Sequence, residues 1–332
     1  MKAIAIFTRK IDFMVDRIIV RLRELGIPYL RINLDCFPES GFISWEPHDP
    51  WKSKLHYEGK EFTIEDLRSI WIWQPDTTTS IPELDEKGNA FRAGETEHAV
   101  WGFLRSVPVP VINHPLAINR AKFKLPQLTL AGKYGMATPR TLVTNNSDEA
   151  MAFAEACENE IIYKLMHPPL YRLNGVDEAI GTYTTLLSAP DLDGLKESIH
   201  ITPCLLQEHV QKRCDIRVTY IDGTIFAAEI FSQEHPKGRV DWRKAPVFEL
   251  GYKQHNLPDS ITQKIHGFMQ EIGLTYGALD FAMTPEGEYV FFEVNSAGQF
   301  AWLEQQLNID ITGRFVEMLL NHAYMEVKNT TW

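Results

Sequence analysis

Three side chains of this 332-residue chain, Asp280, Glu293 and Asn295, have the types and spacing to do chemistry together. They lie in two apolar runs, 276–281 and 289–295, joined through the turn residues Thr284-Pro285-Glu286-Gly287. Apolar runs around a Pro/Gly turn predict a β-hairpin. Strand side chains alternate between faces, so Glu293 and Asn295 point one way and Val290, Phe292 and Val294 the other. A loop over 285–288 sets Thr284 opposite Tyr289 and Asp280 opposite Glu293. Two carboxylates and an amide oxygen then share one face, a hard-oxygen set suited to Mg²⁺ completed by water and substrate phosphates. A solvated surface hairpin would also carry acidic residues, but these flanking strands are apolar enough to be buried. Unpaired buried carboxylates are costly, and a cation is one way to offset that cost.

Lysines supply the complementary charge. Lys164 sits inside Ile161-Ile162-Tyr163-Lys164-Leu165-Met166, directly before 167–181, a loop long enough to act as a lid. An ammonium in a buried strand needs an anion, and nucleotide phosphates would provide one. A lysine snorkelling from an edge strand would give the same pattern. Lys122 opens a helix predicted over 119–133, with Asn119 as N-cap and a kink at Pro126. An ordinary helix-surface lysine is the other reading there.

Three further segments carry candidate groups. Leu205-Leu206-Gln207-Glu208-His209-Val210 runs from a strand into a polar break that can present backbone groups to an adenine edge. Asp215 and Arg217 share a strand face, where Arg217 suits a two-pronged grip on phosphate or carboxylate, or a structural salt bridge. Asp241-Trp242-Arg243 lies among Lys237, Arg239 and Lys244, a second cationic site or a solvated charge run.

The elements that must hold these residues divide into three parts. Strands near 3–7 and 29–34 flank an amphipathic helix over 11–25, a βαβ start that implies a parallel sheet. A meander over 41–62, a strand at 69–74, a helix at 95–106 and a strand at 109–113 complete a first domain, 1–118. A central part, 119–206, holds strands at 141–144 and 161–166 and a helix capped by Asn146. The last part, 207–332, carries long antiparallel strands, a helix near 260–272, the hairpin and a closing helix. The predicted class is α/β with α+β character.

Composition narrows the function. A net charge of −11 argues against general nucleic-acid binding. No apolar run approaches the roughly 20 residues of a membrane span, and the start of the chain does not read as a secretory signal. Cys36, Cys157, Cys204 and Cys214 are scattered without zinc spacing, and a reduced cytoplasm is the expected home. Neither a P-loop nor a dinucleotide fingerprint is present.

Taken in order, the helix lysine, the strand lysine before a lid, the Gln-Glu hinge, Asp215-Ile216-Arg217 and the Asp…Glu-x-Asn hairpin resemble the ATP-grasp superfamily. Val240-Asp241-Trp242-Arg243-Lys244, Ser232-Gln233, the run 274–280 and Asn295-Ser296-Ala297-Gly298-Gln299-Phe300 resemble its microviridin and graspetide peptide ligases. Two departures stand out: Trp71-Ile72-Trp73-Gln74-Pro75 lacks the paired arginines that often follow, and Ser296 replaces the frequent proline. The resemblance implies an ATP-grasp fold of three subdomains, with nucleotide between the central and C-terminal ones. It also implies ATP and Mg²⁺, a precursor peptide with a leader segment as partner, and is compatible with a homodimer.

On that resemblance a peptide Glu or Asp is activated as an acyl phosphate, and a Ser, Thr or Lys then closes an ω-ester or ω-amide ring. Asp280, Glu293 and Asn295 would hold Mg²⁺; Lys122 and Lys164 the phosphates; Gln207, Glu208, His209 and Val210 the adenine; and Asp215 the ribose. Arg217 would stabilise phosphate and acyl phosphate, and Arg243, positioned by Asp241, the acceptor carboxylate. The rival expectations are a ligase adding amino acids to a free amino acid or a protein C-terminus, and an ATP-binding scaffold without turnover.

Overall fold

The computed structural model describes residues 1–75, 80–166 and 183–321; the lid expected over 167–181 lies outside the described residues. Ala3–Thr8 is buried at every position, as befits a parallel strand covered on both faces. It is second in a four-stranded parallel sheet ordered Tyr29–Asn33, Ala3–Thr8, Leu67–Ile72, Val111–Ile112. Phe13–Glu24 links the first pair. Asp12 starts it by accepting the N–H groups of Met14 and Val15, and Met14, Val15, Ile18, Ile19 and Leu22 form its buried face. The helix expected at 95–106 is longer, Glu86–Ser106, because Asp85 caps it by accepting the Gly88 N–H. Gly41–Ser44, Lys54–Tyr57 and Lys60–Thr63 form the predicted antiparallel meander.

The single helix expected over 119–133 is two. Pro115–Ala121 begins at the cap residue His114, so Asn119 lies inside it rather than at its start. Lys124–Lys133 follows, with Pro126 in its first turn, where a missing N–H costs nothing. Lys122 therefore ends one helix instead of opening another.

The central sheet is antiparallel, ordered Thr185–Leu187, Ile161–Lys164, Cys204–Glu208, Thr141–Thr144. Gln207 and Glu208 are strand residues of this sheet, so the strand Cys204–Glu208 runs across the boundary expected between 206 and 207. The helix Ser147–Ala156, capped by Asn146, buries Ala150 and Ala154 against the sheet's Ile161, Cys204 and Leu206.

The C-terminal sheet is antiparallel and five-stranded: Tyr252–His255, Thr224–Ile230, Cys214–Ile221, Tyr276–Met283, Tyr289–Asn295. One face packs Ile216, Val218, Leu279, Phe281 and Phe291 against Ile265, Phe268 and Met269 of Asp259–Ile272. The closing helix Ile311–Asn321 joins this unit to the first. Its Phe315 and Met318 share a core with Trp71, Trp73, Ile18 and Tyr276. The two tryptophans of the departing 71–75 motif are thus interior residues, each 1% exposed. No helix among the described residues is long and apolar enough to cross a membrane.

Candidate active site between the central and C-terminal sheets

The hairpin places Asp280 directly opposite Glu293, as its sequence pattern predicts, but by a different route. Met283 pairs with Tyr289, Ala282 with Val290 and Phe281 with Phe291, one residue out of the expected register. A bulge at Phe292 then restores it, so Asp280 faces Glu293 and Ala278 faces Asn295. The extra residue also corrects the predicted face of Phe292. Phe291 and Val294 enter the core, while Phe292 and Glu293 both turn towards a cavity of about 340 Å³. That volume lies within the usual range for small-molecule sites.

The cavity lies where the central and C-terminal sheets meet. Ile162, Lys164, Leu165 and Met166 line one wall, and Asp280, Phe292, Glu293, Val294 and Asn295 the other. Of the residues singled out in the sequence, it gathers Lys122, Lys164, His209, Val210, Asp215, Asp241, Arg243, Asp280, Glu293 and Asn295. Lys124, Lys212 and Gln127 also line it, and sequence reasoning missed all three. Pro126 was a partial signal for Lys124, since proline is tolerated in the first turn of a helix. Lys212, in a loop between strands, carries no such mark.

Three expected residues lie off the cavity wall. Gln207 is 2% exposed and donates to the Thr141 hydroxyl at 2.9 Å. The Glu208 carboxylate accepts the Arg140 N–H at 2.9 Å. The backbone N–H groups of Glu208 and His209 already bond the carbonyls of Arg140 and Glu160. They are therefore spent within the protein rather than offered to an adenine edge. Arg217 lies behind Asp280 on the neighbouring strand, its Nη1 within 2.9 Å of both Asp280 oxygens. Arg217 thus orients a carboxylate of the site. Gly298 is required beside this pair: an added Cβ would come within 2.7 Å of the Arg217 guanidinium and 2.5 Å of the Ala278 Cβ.

Charge is organised in pairs. Lys212 donates to Asp215 at 2.8 Å, with both side chains buried. Burial pushes the Asp215 carboxyl up, and Lys212 opposes that push. Arg243 grips Asp241 through two nitrogens, at 2.9 and 2.7 Å. Burial would raise Asp241, but the hydrogen bonds and charge of Arg243 bring it down to about 2. Asp241 also accepts the Thr184 N–H, and Lys244 donates to the Thr184 carbonyl. The 241–244 segment is thereby tied to the central unit just before its edge strand.

Glu293 is the electrostatic centre. Lys124 bonds it directly, and Arg243 stands 4.0 Å away. Burial alone would raise its carboxyl, but Lys124, Lys164 and Arg243 draw it down to about 2. Lys164 rests over the Phe292 ring at 4.4 Å, a contact the bulge creates. Burial pushes this ammonium down to about 8, against the pull of Glu293. Five basic side chains and four carboxylates line the cavity of a chain whose net charge is −11. The local excess of cations suits an anionic ligand.

The donor set also fits a divalent cation. Asp280 and Glu293 occupy facing strand positions, and Asn295 lines the same wall, its oxygen accepting the Ala297 N–H and retaining a second lone pair. Two carboxylates and an amide leave room for the water and phosphate oxygens that Mg²⁺ prefers.

The fold matches those of known proteins. Residues 3–119 match the model of the MvdD pre-ATP grasp domain. Over 98% of both chains, the structure superposes on a RiPP-associated ATP-grasp ligase of Chryseobacterium gregarium with a TM-score of 0.88 and 27% identity. The macrocyclase MdnB of Microcystis aeruginosa is 29% identical and reaches a TM-score of 0.78, with 96% of this chain and 99% of that one covered. The chain has the ATP-grasp fold. It resembles the peptide-modifying ATP-grasp ligases, and more distantly the ribosomal protein bS6–L-glutamate ligase of Salmonella paratyphi B, 23% identical over 84% of each chain.

Proposed function

We propose that this ATP-grasp protein is an ATP-dependent ligase acting on a ribosomally made precursor peptide. In this reading it activates Glu or Asp side chains as acyl phosphates and closes ω-ester or ω-amide rings with Ser, Thr or Lys. The observation that carries the proposal is the cation-rich cavity with its Asp280–Glu293–Asn295 wall, in a fold whose relatives modify peptides. The Chryseobacterium ligase is described in complex with ADP and with a leader and core peptide, which supports a peptide substrate here.

Asp280, Glu293 and Asn295 would hold Mg²⁺, which when bound supplies charge neutralisation at the phosphate oxygens. Lys122, Lys124 and Lys164 neutralise the transferred phosphate, and Arg217 keeps Asp280 turned towards it. His209 and Val210, with Ile162 and Met166, form the apolar slot for adenine, and Asp215 meets the ribose. Arg243, locked by Asp241, receives the peptide carboxylate and holds it in line for attack on the γ-phosphate. The incoming hydroxyl or amine then displaces inorganic phosphate. Positioning and electrostatics suffice for such transfer, and no protein nucleophile is needed.

A second reading, addition of an amino acid to a protein C-terminus, draws on the bS6 ligase likeness. Mass spectrometry separates the two. A precursor peptide incubated with the protein, ATP and Mg²⁺ is expected to lose one water per ring without gaining mass. Stepwise gain of an amino-acid residue would instead favour the second reading, and ADP release with neither change would contradict both.

A further inference from the structure

Val294, between Glu293 and Asn295, lies on the outermost strand of the C-terminal sheet. An outer strand leaves alternate N–H and C=O groups without a ladder partner, and buried ones must be satisfied elsewhere. At Val294 one side chain satisfies both. Gln127 accepts the Val294 N–H through Oε1 at 2.7 Å and donates to the Val294 carbonyl through Nε2 at 3.1 Å. The carboxamide takes the place of a neighbouring strand's peptide group.

The same Nε2 donates to the Ala121 carbonyl at 2.6 Å. Ala121 ends the helix immediately before Lys122, while Gln127 itself belongs to the helix that Lys124 opens. A single amide, 3% exposed, therefore joins both sides of the lysine-bearing helix break to the strand residue flanked by Glu293 and Asn295. The contact between Lys124 and Glu293 depends on where these two elements stand relative to each other.

We infer that Gln127 is a positioning residue: it sets the lysines of the helix break against the carboxylate–amide wall and so tunes affinity for a magnesium–nucleotide complex. The inference rests on the proposed nucleotide site. It differs from a packing role, which Leu130 illustrates on the same helix, 2% exposed and set in the apolar core under the sheet.

The test compares the full-length protein with Gln127→Ala, with Gln127→Met (which keeps the volume but cannot bond) and with Leu130→Ala. Calorimetry with ADP and Mg²⁺ gives affinity, hydrogen exchange gives protection at the Val294 amide, and thermal melting gives stability. Both Gln127 variants are expected to bind Mg·ADP about 10- to 100-fold more weakly, the usual range for an outer-shell partner, and to lose Val294 protection. Leu130→Ala should lower the melting temperature yet keep affinity within about threefold, as expected of a site without a shared partner. If the wild type binds Mg·ADP and Gln127→Met binds within that same range, the positioning role is overturned alone. A wild type that binds no Mg·ADP overturns the nucleotide reading, and this inference with it.

Discussion

Glu293→Gln is expected to abolish ATP-driven ligation while leaving the fold in place. The change keeps the shape of the side chain but removes the anion that Lys124, Lys164 and Arg243 all face. It also removes a carboxylate from the wall that would hold Mg²⁺. Turnover should fall by at least about 10²–10³-fold, the scale for deleting one electrostatic group from a site that stabilises developing charge. Circular dichroism and a cooperative melt would establish that the variant folds. Near-normal turnover would contradict the role of this wall. Acid stability gives a second reading of the same residue. The folded carboxyl lies at about 2, below its ordinary 4.5. Its contribution to stability is therefore present above the unfolded value and fades as pH falls through that window towards 2. The stability difference between wild type and Glu293→Gln, measured by urea denaturation, should shrink over the same interval.

Lys164→Met carries the next largest effect, and its pH dependence has two opposite signs. The ammonium titrates near 8 in the folded protein, against an ordinary 10.5. Raising pH from 7 to 9 strips its charge and should weaken nucleotide binding. In the unliganded protein the unfolded chain holds this proton more tightly between about 8 and 10.5, so stability should rise there. Lys164→Met should bind nucleotide weakly at pH 7, by roughly 10²-fold for loss of a charge-assisted phosphate contact. It should also lose this part of both slopes. Calorimetric titration of ADP at several pH values, paired with denaturation curves, checks the two together. A wild type whose affinity is flat from pH 7 to 9 would remove Lys164 from the phosphate site.

The sequence and the structure agree where a pattern has only one physical solution. Apolar runs around Pro285 and Gly287 determine a hairpin, whereas the pairing of Asp280 with Glu293 also needs the bulge at Phe292. The βαβ start and the cap at Asn146 are local signals of the same kind. Phe292 was not legible, because a bulge has no composition signature when the added residue is as apolar as its neighbours. That one residue reverses its own face and gives Lys164 its aromatic support. The break at Lys122 was legible in part: Pro126 is equally compatible with a kink inside one helix and with the first turn of another. Arg217 and Gln207 look alike in the sequence, polar residues inside apolar strands. Only their cross-strand neighbours, Asp280 and Thr141, decide that each is turned into the protein. Lys212 and Gln127 act through partners 3 and 167 positions away, and the distant partner leaves no trace in the local pattern.

In the proposed reaction a peptide carboxylate attacks the γ-phosphate of ATP in this site, and isotope transfer tests that step. A substrate peptide found by its loss of water is prepared with ¹⁸O in its Glu and Asp side chains and incubated with the protein, unlabelled ATP and Mg²⁺. Each ring closed should carry one carboxylate oxygen into inorganic phosphate, with ADP as the other product. Label appearing in AMP, or rings forming with unlabelled phosphate, would contradict acyl-phosphate chemistry here.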